Sequence, residues 1–465
     1  MFKKVTQSIV NQMDPGGDLV PVSSILDHEH FQPLCLVRRK RKAMFQPAPC
    51  YKQTWYRLED VLLPAGGDKN PGSPLPIGAT QAAQQFTVQK TTKDRVDGSL
   101  NISMDSTSME IKGAASSSKG WTIKLQKNHI PVPQLDAVRA ERKVNMEHSF
   151  IQQLQRADQN LYLVHESIET SEEANYQEST EAEGSLLAQL YAKFSAKGAQ
   201  ESKQSITIPK GCTLAFRALQ LAISNGSWEL QYFPSRVTSK FVSDSTGRHQ
   251  DQPVLRKALM APTARKFDAL RREVQSSYGV LHLRLAPNLP ATFLKAIKAV
   301  MRDRNLFEEL SHTMDAVLDG AESCELQTAN PDLEELLSIL QHSPERSRLA
   351  EAIAYTLDAL EELTEDQLLL LLESLDKKMV SQQLQMVSGI LAQEEMWLPF
   401  DMASFMLSCS QEEQALITAM LEKSGMTLKE DGSAPWTAKA FPALAALYAS
   451  LYILDLLSNP EQLRG

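Results

Sequence analysis

The sequence predicts an α+β N-terminal domain with a twisted antiparallel sheet, followed by an all-α C-terminal helical bundle. Before Pro234, apolar residues alternate with polar ones in short segments, as in half-buried strands. After Pro253, apolar residues recur at helical spacing. The segment between these prolines is polar and almost free of large aliphatic side chains, so it buries too little apolar area to offset the entropy of ordering.

We therefore expect domains over 1–234 and 254–465, joined by a flexible, protease-sensitive linker over 235–253. Charge divides in the same way. Residues 1–244 contain 28 Lys and Arg against 25 Asp and Glu, a net of +3, and the rest contains 20 against 32, a net of −12, which gives the total of −9. A basic half joined to an acidic half indicates that one masks the other, or that the basic half binds an anionic partner.

The cysteine pattern and the ends of the chain predict a cytoplasmic protein. Its 5 cysteines are scattered, odd in number and without CxxC spacing, which favours a reducing compartment. No apolar run of a signal peptide follows Met1. The longest apolar stretch, 441–457, is interrupted by Pro442 and Asp455, so we interpret it as a buried core helix.

In the first half, residues 2–13 predict an amphipathic helix that ends at Pro15. A helical patch follows at 135–155, and 161–164 begins a hairpin whose return limb is 206–208, with a helix at 185–194 between them. Further strands are predicted at 34–37, 86–88, 100–104, 121–125 and 213–223, and a strand followed by a loop is predicted at 51–63. Alternating segments of this kind fit either an ordinary half-buried sheet or amphipathic strands that line a membrane barrel.

In the second half, the periodicity predicts a helical bundle. Thr364 is in a favourable position to begin one of its helices. The predicted helices span 267–274, 290–301, 306–318, 331–340, 346–363, 365–375, 381–393, 400–407, 412–424 and 441–457.

Catalytic motifs are missing from the sequence, which contains no HExxH, GxxxxGK[ST], GxSxG or GxGxxG. The one close histidine pair, His28 and His30, has no further ligand nearby in the sequence. We therefore predict that the protein is not an enzyme and holds no metal or cofactor.

A basic run at 38–42 is followed directly by Met44 and Phe45. Such a run can be a solvated loop, a nucleic-acid patch or a contact for acidic lipids. The apolar tip beside the charges favours the lipid contact, because acidic headgroups lie above acyl chains. We expect no nucleic-acid partner.

The linker contains Phe241-Val242-Ser243-Asp244-Ser245, with an aromatic residue three places before an Asp that a small residue follows. The pattern resembles a cleavage site for an inflammatory caspase, which reads an extended peptide by strand addition and binds the Asp carboxylate with arginines. An isolated Asp in a polar linker fits chance as well.

Several longer stretches together resemble one known family, the gasdermins, and most closely their A type. The resemblance covers nearly the whole chain. It rests on Asp14-Pro15-Gly16-Gly17-Asp18-Leu19, on 31–42, on Asn160-Leu161-Tyr162-Leu163-Val164, on 207–217, and on Tyr355-Thr356-Leu357-Asp358-Ala359-Leu360 followed by Leu363-Thr364-Glu365.

The resemblance implies an N-terminal domain that forms a many-subunit β-barrel pore after the linker is cut, and a C-terminal domain that keeps it inactive until then. The freed fragment would bind acidic phospholipids, assemble as a homo-oligomer in the plasma membrane and cause lytic, pyroptotic cell death. By resemblance, the membrane hairpins are 80–126 and 160–208. The implied site residues are Arg39, Lys40, Arg41 and Lys42 for lipid, Met44 and Phe45 as anchor, and Leu270, Tyr355 and Ala359 for autoinhibition.

Two points qualify this resemblance. Mammalian A-type members typically lack a caspase site in the linker, so 241–244 suggests a lineage with such control. A second caspase-like tetrapeptide ends at Asp97 before Gly98, where an executioner caspase would inactivate the pore former; the same dipeptide also fits a simple turn. Two other functions stay open from the residues alone: a caspase-cleaved helical signalling adaptor, and a lipid-binding protein that forms no pore.

Overall fold

A computed structural model of the chain divides into two compact units. The sheet unit comprises Met1–Lys42, Ala48–Thr180 and Ser202–Gln252, and the helical unit comprises Ala43–Pro47, Glu181–Glu201 and Pro253–Gly465. The structure describes residues 2–15, 17–40, 42–46, 49–64, 81–91, 100–104, 120–156, 159–179, 185–194, 203–231, 263–283, 286–321, 326, 329–393, 400–401, 409–426, 433–434, 440–459 and 461.

The sheet unit contains a nine-stranded sheet in which all the pairings are antiparallel. Its strands are β1 (Val20–Pro21), β2 (Cys35–Arg39), β3 (Tyr51–Arg57), β4 (Gln81–Thr91), β5 (Leu100–Met104), β6 (Gly120–His129), β7 (Leu161–Thr170), β10 (Thr213–Ser224) and β11 (Ser227–Gln231). The main path runs β1-β10-β7-β6-β4-β5, with β11 on β10 and with β2 linking β7 to β3. Two further strands, β8 (Ala174–Ser179) and β9 (Lys203–Ile208), form a separate hairpin.

Strand β7 is central, which corrects one prediction. Along one edge it pairs with β10, and along the other it pairs with β2 and then β6. The prediction that 161–164 begins the second hairpin is therefore wrong, because the limbs of that hairpin are β8 and β9, with Ala174 opposite Ile208. Both faces of β7 are buried, so its apolar residues form a run instead of alternating.

Helices cover both faces of the sheet. On one face α1 (Phe2–Met13) packs into a cluster with Val37 and Phe216, and on the other α2 (Leu58–Val61), α3 (Val132–Glu141) and α4 (Ser149–Arg156) pack with Leu36 and Leu163. Adjacent residues Leu36 and Val37 enter opposite clusters because strand side chains alternate. The helical patch predicted at 135–155 is in fact two helices, α3 and α4.

The helical unit is formed by helices packed around one large apolar cluster. Its described helices are α5 (Ser185–Phe194), α6 (Thr263–Ser277), α7 (Leu289–Arg302), α8 (Arg304–Leu318), α9 (Pro331–His342), α10 (Arg346–Glu361), α11 (Glu365–Asp376), α12 (Val380–Leu391), α13 (Gln411–Lys423) and α14 (Phe441–Ser458). The fold class predicted from the sequence, α+β followed by all-α, is confirmed.

Local signals in the helical unit are mostly confirmed. At the start of α11, the Thr364 hydroxyl accepts from the Gln367 backbone N–H at 3.2 Å, and the Gln367 side chain accepts from the Thr364 backbone N–H at 2.9 Å. The helix predicted from residue 400 is wrong at its first two positions, since Phe400–Asp401 pairs as a strand with Ser433–Ala434. The remainder of that prediction, 402–407, lies outside the described residues.

Helix α14 is long and apolar enough to cross a membrane, judged by length and composition, and no other helix of the described chain meets that test. Of its 18-residue window, 72% is buried within the protein. This burial confirms the buried core helix predicted for 441–457.

Candidate functional site

The basic run lies at the end of β2, where the chain leads into the loop toward β3. Arg39 is exposed at the last position of β2 and pairs with Tyr51 of β3. The Lys40 backbone N–H donates to the Cys50 carbonyl at 2.8 Å, which closes the base of the loop. Lys42 is exposed, and Arg41 lies outside the described residues.

The next residues belong to the helical unit and are largely buried there. Phe45 has no exposed surface, and Met44 is half-buried. The Phe45 ring meets the Tyr355 ring of α10 at 5.2 Å between centroids and 66° between planes, an edge-to-face contact. Tyr355 also meets the buried Tyr278 ring at 5.6 Å. Of the two residues predicted as a membrane anchor, Phe45 is therefore held inside the helical unit and Met44 is half-buried there.

Glu273 of α6 connects these groups. Its Oε1 accepts hydrogen bonds from the Met44 backbone N–H at 2.9 Å and from the Tyr355 hydroxyl at 3.0 Å. Burial, followed by the neighbouring Tyr278 and the negative charge of Glu273, raises the pKa of Tyr355, so the hydroxyl keeps its proton and donates. One carboxylate thus fixes both the backbone of segment 43–46 and the ring on which Phe45 rests.

The other two residues predicted for autoinhibition lie in the same apolar cluster. Leu270 of α6 and Ala359 of α10 have no exposed surface and share the cluster with Ala43 and Phe45. Of the three residues predicted for autoinhibition, Tyr355 contacts Phe45 directly, whereas Leu270 and Ala359 are buried in the same apolar cluster. Glu273 escaped prediction, although it lies three residues after Leu270 and so one turn along the same face of α6.

Helix α5 is a second segment from the first half of the chain in the helical unit. Leu187 and Leu190 are buried in the apolar cluster. The Tyr191 hydroxyl bonds Asp366 at 2.9 Å, and the Lys193 ammonium bonds Glu373 at 2.6 Å and Asp376 at 3.1 Å. These three acids lie on α11, and the hydrogen bonds that Lys193 donates to Glu373 and Asp376 raise the pKa of its ammonium group.

The contacts of α5 are further functional candidates that the sequence reasoning missed. The amphipathic pattern of 185–194 could have indicated a packed helix, because Leu187 and Leu190 share one face and Lys193 lies near the end.

Two groups of predicted residues lie outside the part of the chain that the structure describes. They are the linker residues Phe241, Val242, Ser243, Asp244 and Ser245, and the second caspase-like site at Asp97 and Gly98. Their roles stay predictions.

Within the described ranges, no group of three or more His, Cys, Asp or Glu side chains is placed to hold a metal. The Nδ1 atom of His28 is buried without a hydrogen-bond partner, and burial lowers the pKa of this imidazole. The close pair His28 and His30 therefore does not gain a third ligand from the described residues.

Comparison with known proteins gives two family-model matches, one in each half of the chain. Residues 266–435 match the family model described as the gasdermin PUB domain. Residues 1–242 match the model described as the gasdermin pore forming domain, which is more than half of the chain. The chain belongs to the gasdermin family. This gasdermin therefore carries a pore-forming domain followed by the family's C-terminal domain, and segment 43–46 and α5 both fall within the pore-forming match.

Its relatives are similar along their whole length. This gasdermin is 29% identical to gasdermin-A of Mus musculus over 467 residues, covering 99% of both chains, and 28% identical to gasdermin-A of Homo sapiens over 466 residues with the same coverage. It is 26% identical to gasdermin-D of Homo sapiens over 510 residues, covering 98% of this chain and 99% of the relative. A cryo-EM structure of the gasdermin A3 membrane pore covers 51% of this chain and 97% of its own at 24% identity, with a TM-score of 0.33.

Proposed function

We propose that this gasdermin is an autoinhibited pore former that cleavage of its linker activates. The supporting observation is that two parts of the pore-forming match, segment 43–46 and α5, are buried in the helical unit. Burial of a large apolar side chain such as Phe45, Leu187 or Leu190 contributes about 1.5–3 kcal/mol each. An uncut linker adds an effective concentration of about a millimolar, so even a modest contact stays closed.

Cleavage after Asp244 by an inflammatory caspase removes that effective concentration. Dilution and membrane binding of the N-terminal fragment then separate the two products. Once Phe45 leaves the helical unit, it is available as an anchor beside the basic run. The lipid-contacting residues in this proposal are Arg39, Lys40, Arg41, Lys42, Met44 and Phe45.

The freed fragment then binds acidic phospholipids of the plasma membrane and assembles into a homo-oligomeric β-barrel through the membrane segments that the resemblance implies, 80–126 and 160–208, the second of which contains the β8–β9 hairpin. The consequence is lytic, pyroptotic cell death. The intact chain is cytoplasmic and acts without catalysis. Cleavage after Asp97 by an executioner caspase would cut the first membrane hairpin and leave unpaired backbone groups, which the lipid core does not tolerate.

Dye release from vesicles tests the proposal. The full chain, treated with an inflammatory caspase, should release dye from vesicles that contain phosphatidylserine, whereas Asp244→Ala should stay uncut and silent. Asp251→Ala changes an acid in the same linker and should behave like the unmodified chain. Release by caspase-treated Asp244→Ala would refute the site.

The same assay separates the other two functions. A cut chain that binds vesicles without release would indicate a lipid-binding protein that forms no pore. A cut chain that does not bind them would favour a signalling adaptor.

A further inference from the structure

An exposed tryptophan stands on a basic hairpin. Strands β2 and β3 with their loop span residues 35–57, which contain 7 Lys and Arg and no Asp or Glu. The hairpin has four aromatic residues, and three are occupied: Phe45 is buried, Tyr51 packs on Tyr162 and Phe216, and Tyr56 stacks on Phe150. The fourth, Trp55, is 72% exposed.

A bulge in β3 turns Trp55 outward. Between the pairs Cys35–Arg57 and Val37–Gln53, three residues of β3 stand opposite a single residue of β2. Thr54 and Tyr56 point inward, and the Thr54 hydroxyl donates to the Leu36 carbonyl at 2.7 Å. Trp55 itself has a φ of +65°, in the left-handed region that bulky side chains rarely adopt. The backbone is strained at the one position where the hairpin presents an aromatic ring to solvent.

The neighbouring loop adds a second exposed apolar side chain. Leu26 is 78% exposed, and the following residue, Asp27, accepts a hydrogen bond from Gln53 of β3 at 3.0 Å. His30 of the same loop meets the Trp55 ring edge-on at 4.2 Å. Just beyond the end of β3, Glu59 forms an ion pair with Arg57 of the hairpin at 3.0 Å.

We propose that Trp55, together with the exposed Leu26 of the neighbouring loop, is an interfacial contact of the pore-forming domain with bilayers that contain acidic lipids. The inference rests on the proposed membrane binding and adds a contact to it. The Lys and Arg side chains of the hairpin attract an anionic membrane surface. An indole has an apolar body and a polar N–H, so it prefers the headgroup level of a bilayer. Trp55 supplies the part of the binding that salt does not screen, and it is already exposed while Phe45 is buried.

The test uses the full chain with a specific protease site inserted in 235–253, so that it does not depend on Asp244. After cutting, sedimentation with vesicles of phosphatidylcholine, with or without phosphatidylserine, gives the partition coefficient. Trp55→Asn removes the ring and places a residue that tolerates positive φ, so its thermal midpoint should be no lower than that of the unmodified chain. Leu63→Ala, at a residue that is 42% exposed and off the hairpin, is the matched control.

We expect Trp55→Asn to lower the partition coefficient on acidic vesicles about tenfold. Trp55→Phe should retain most of the binding, and Leu63→Ala all of it. Added salt should weaken every variant, while the ratio between the unmodified chain and Trp55→Asn stays constant. Brominated lipids should quench the fluorescence of the unmodified chain more than that of Trp55→Phe.

Equal binding of Trp55→Asn and the unmodified chain overturns the inference and leaves the proposed function standing. Normal binding with smaller oligomers overturns it in favour of a contact with a second copy of the chain. If the unmodified cut chain fails to bind acidic vesicles at all, the proposed function fails, and this inference fails with it.

Discussion

Replacing Glu273 should unlock segment 43–46 without altering the pore-forming residues. The Glu273 carboxylate holds the Met44 backbone N–H at 2.9 Å and the Tyr355 hydroxyl at 3.0 Å. Hydrogen bonds to a charged group contribute about 1.5–3 kcal/mol each. Only the bond to Met44 is made by the buried segment, so Glu273→Ala should cost its burial about 1.5–3 kcal/mol, which raises its open population about 10- to 150-fold.

Two milder variants should raise the open population of segment 43–46 by less than Glu273→Ala does. Tyr355→Phe removes one hydrogen bond and keeps the ring contact with Phe45. Glu273→Gln keeps an acceptor without its charge, so its effect should be about half that of Glu273→Ala. Asp268→Ala removes an exposed acid from the same helix and serves as the matched control.

The assay is trypsin cleavage after Lys42 in the uncut chain, together with dye release from acidic vesicles. When opening is fast relative to cleavage, the cleavage rate follows the open population. We expect trypsin cleavage and dye release to rise modestly in Tyr355→Phe and Glu273→Gln. Both should rise most in Glu273→Ala. A Glu273→Ala chain that is as resistant and as silent as the unmodified one would refute the reasoning. A lower thermal midpoint with neither change would limit Glu273 to the stability of the helical unit.

Three further predictions follow from the same residues. Ala359→Asp buries a charge in the cluster that contains Phe45, at a cost of several kcal/mol, so the uncut chain should become toxic to cells; loss of soluble protein without toxicity would assign Ala359 to the core alone. Charge reversal of Arg39, Lys40, Arg41 and Lys42 should abolish vesicle binding and leave cleavage intact, and salt-independent or unchanged binding would contradict the lipid role. An executioner caspase should cut after Asp97 and leave products that release no dye, which Asp97→Ala should prevent; an intact junction or a lytic product would reject the off switch.

Much of the fold was determined by the sequence, because its signals are local. Hydrophobic periodicity identified α1, β10 and nearly every helix of the second half, and the Thr364 capping box depends on residues only three positions apart. Where a strand is buried on both faces, apolar and polar residues no longer alternate, so the pattern no longer indicates where the strand lies in the sheet. That is why β7 was mistaken for the start of a hairpin, when the pairing with β2, β6 and β10 decides its place.

The site depended on tertiary structure, because its partners are far apart in the chain. Resemblance named Phe45 and Tyr355, but their contact crosses about 300 residues, and nothing local indicates that Glu273 bonds to both Met44 and Tyr355. The same holds for Lys193 on Glu373, an ion pair whose members are 180 positions apart. Trp55 shows the difference most clearly. The sequence placed an aromatic residue in a strand, and only the bulge opposite Leu36, with its positive φ, turned the ring out to solvent.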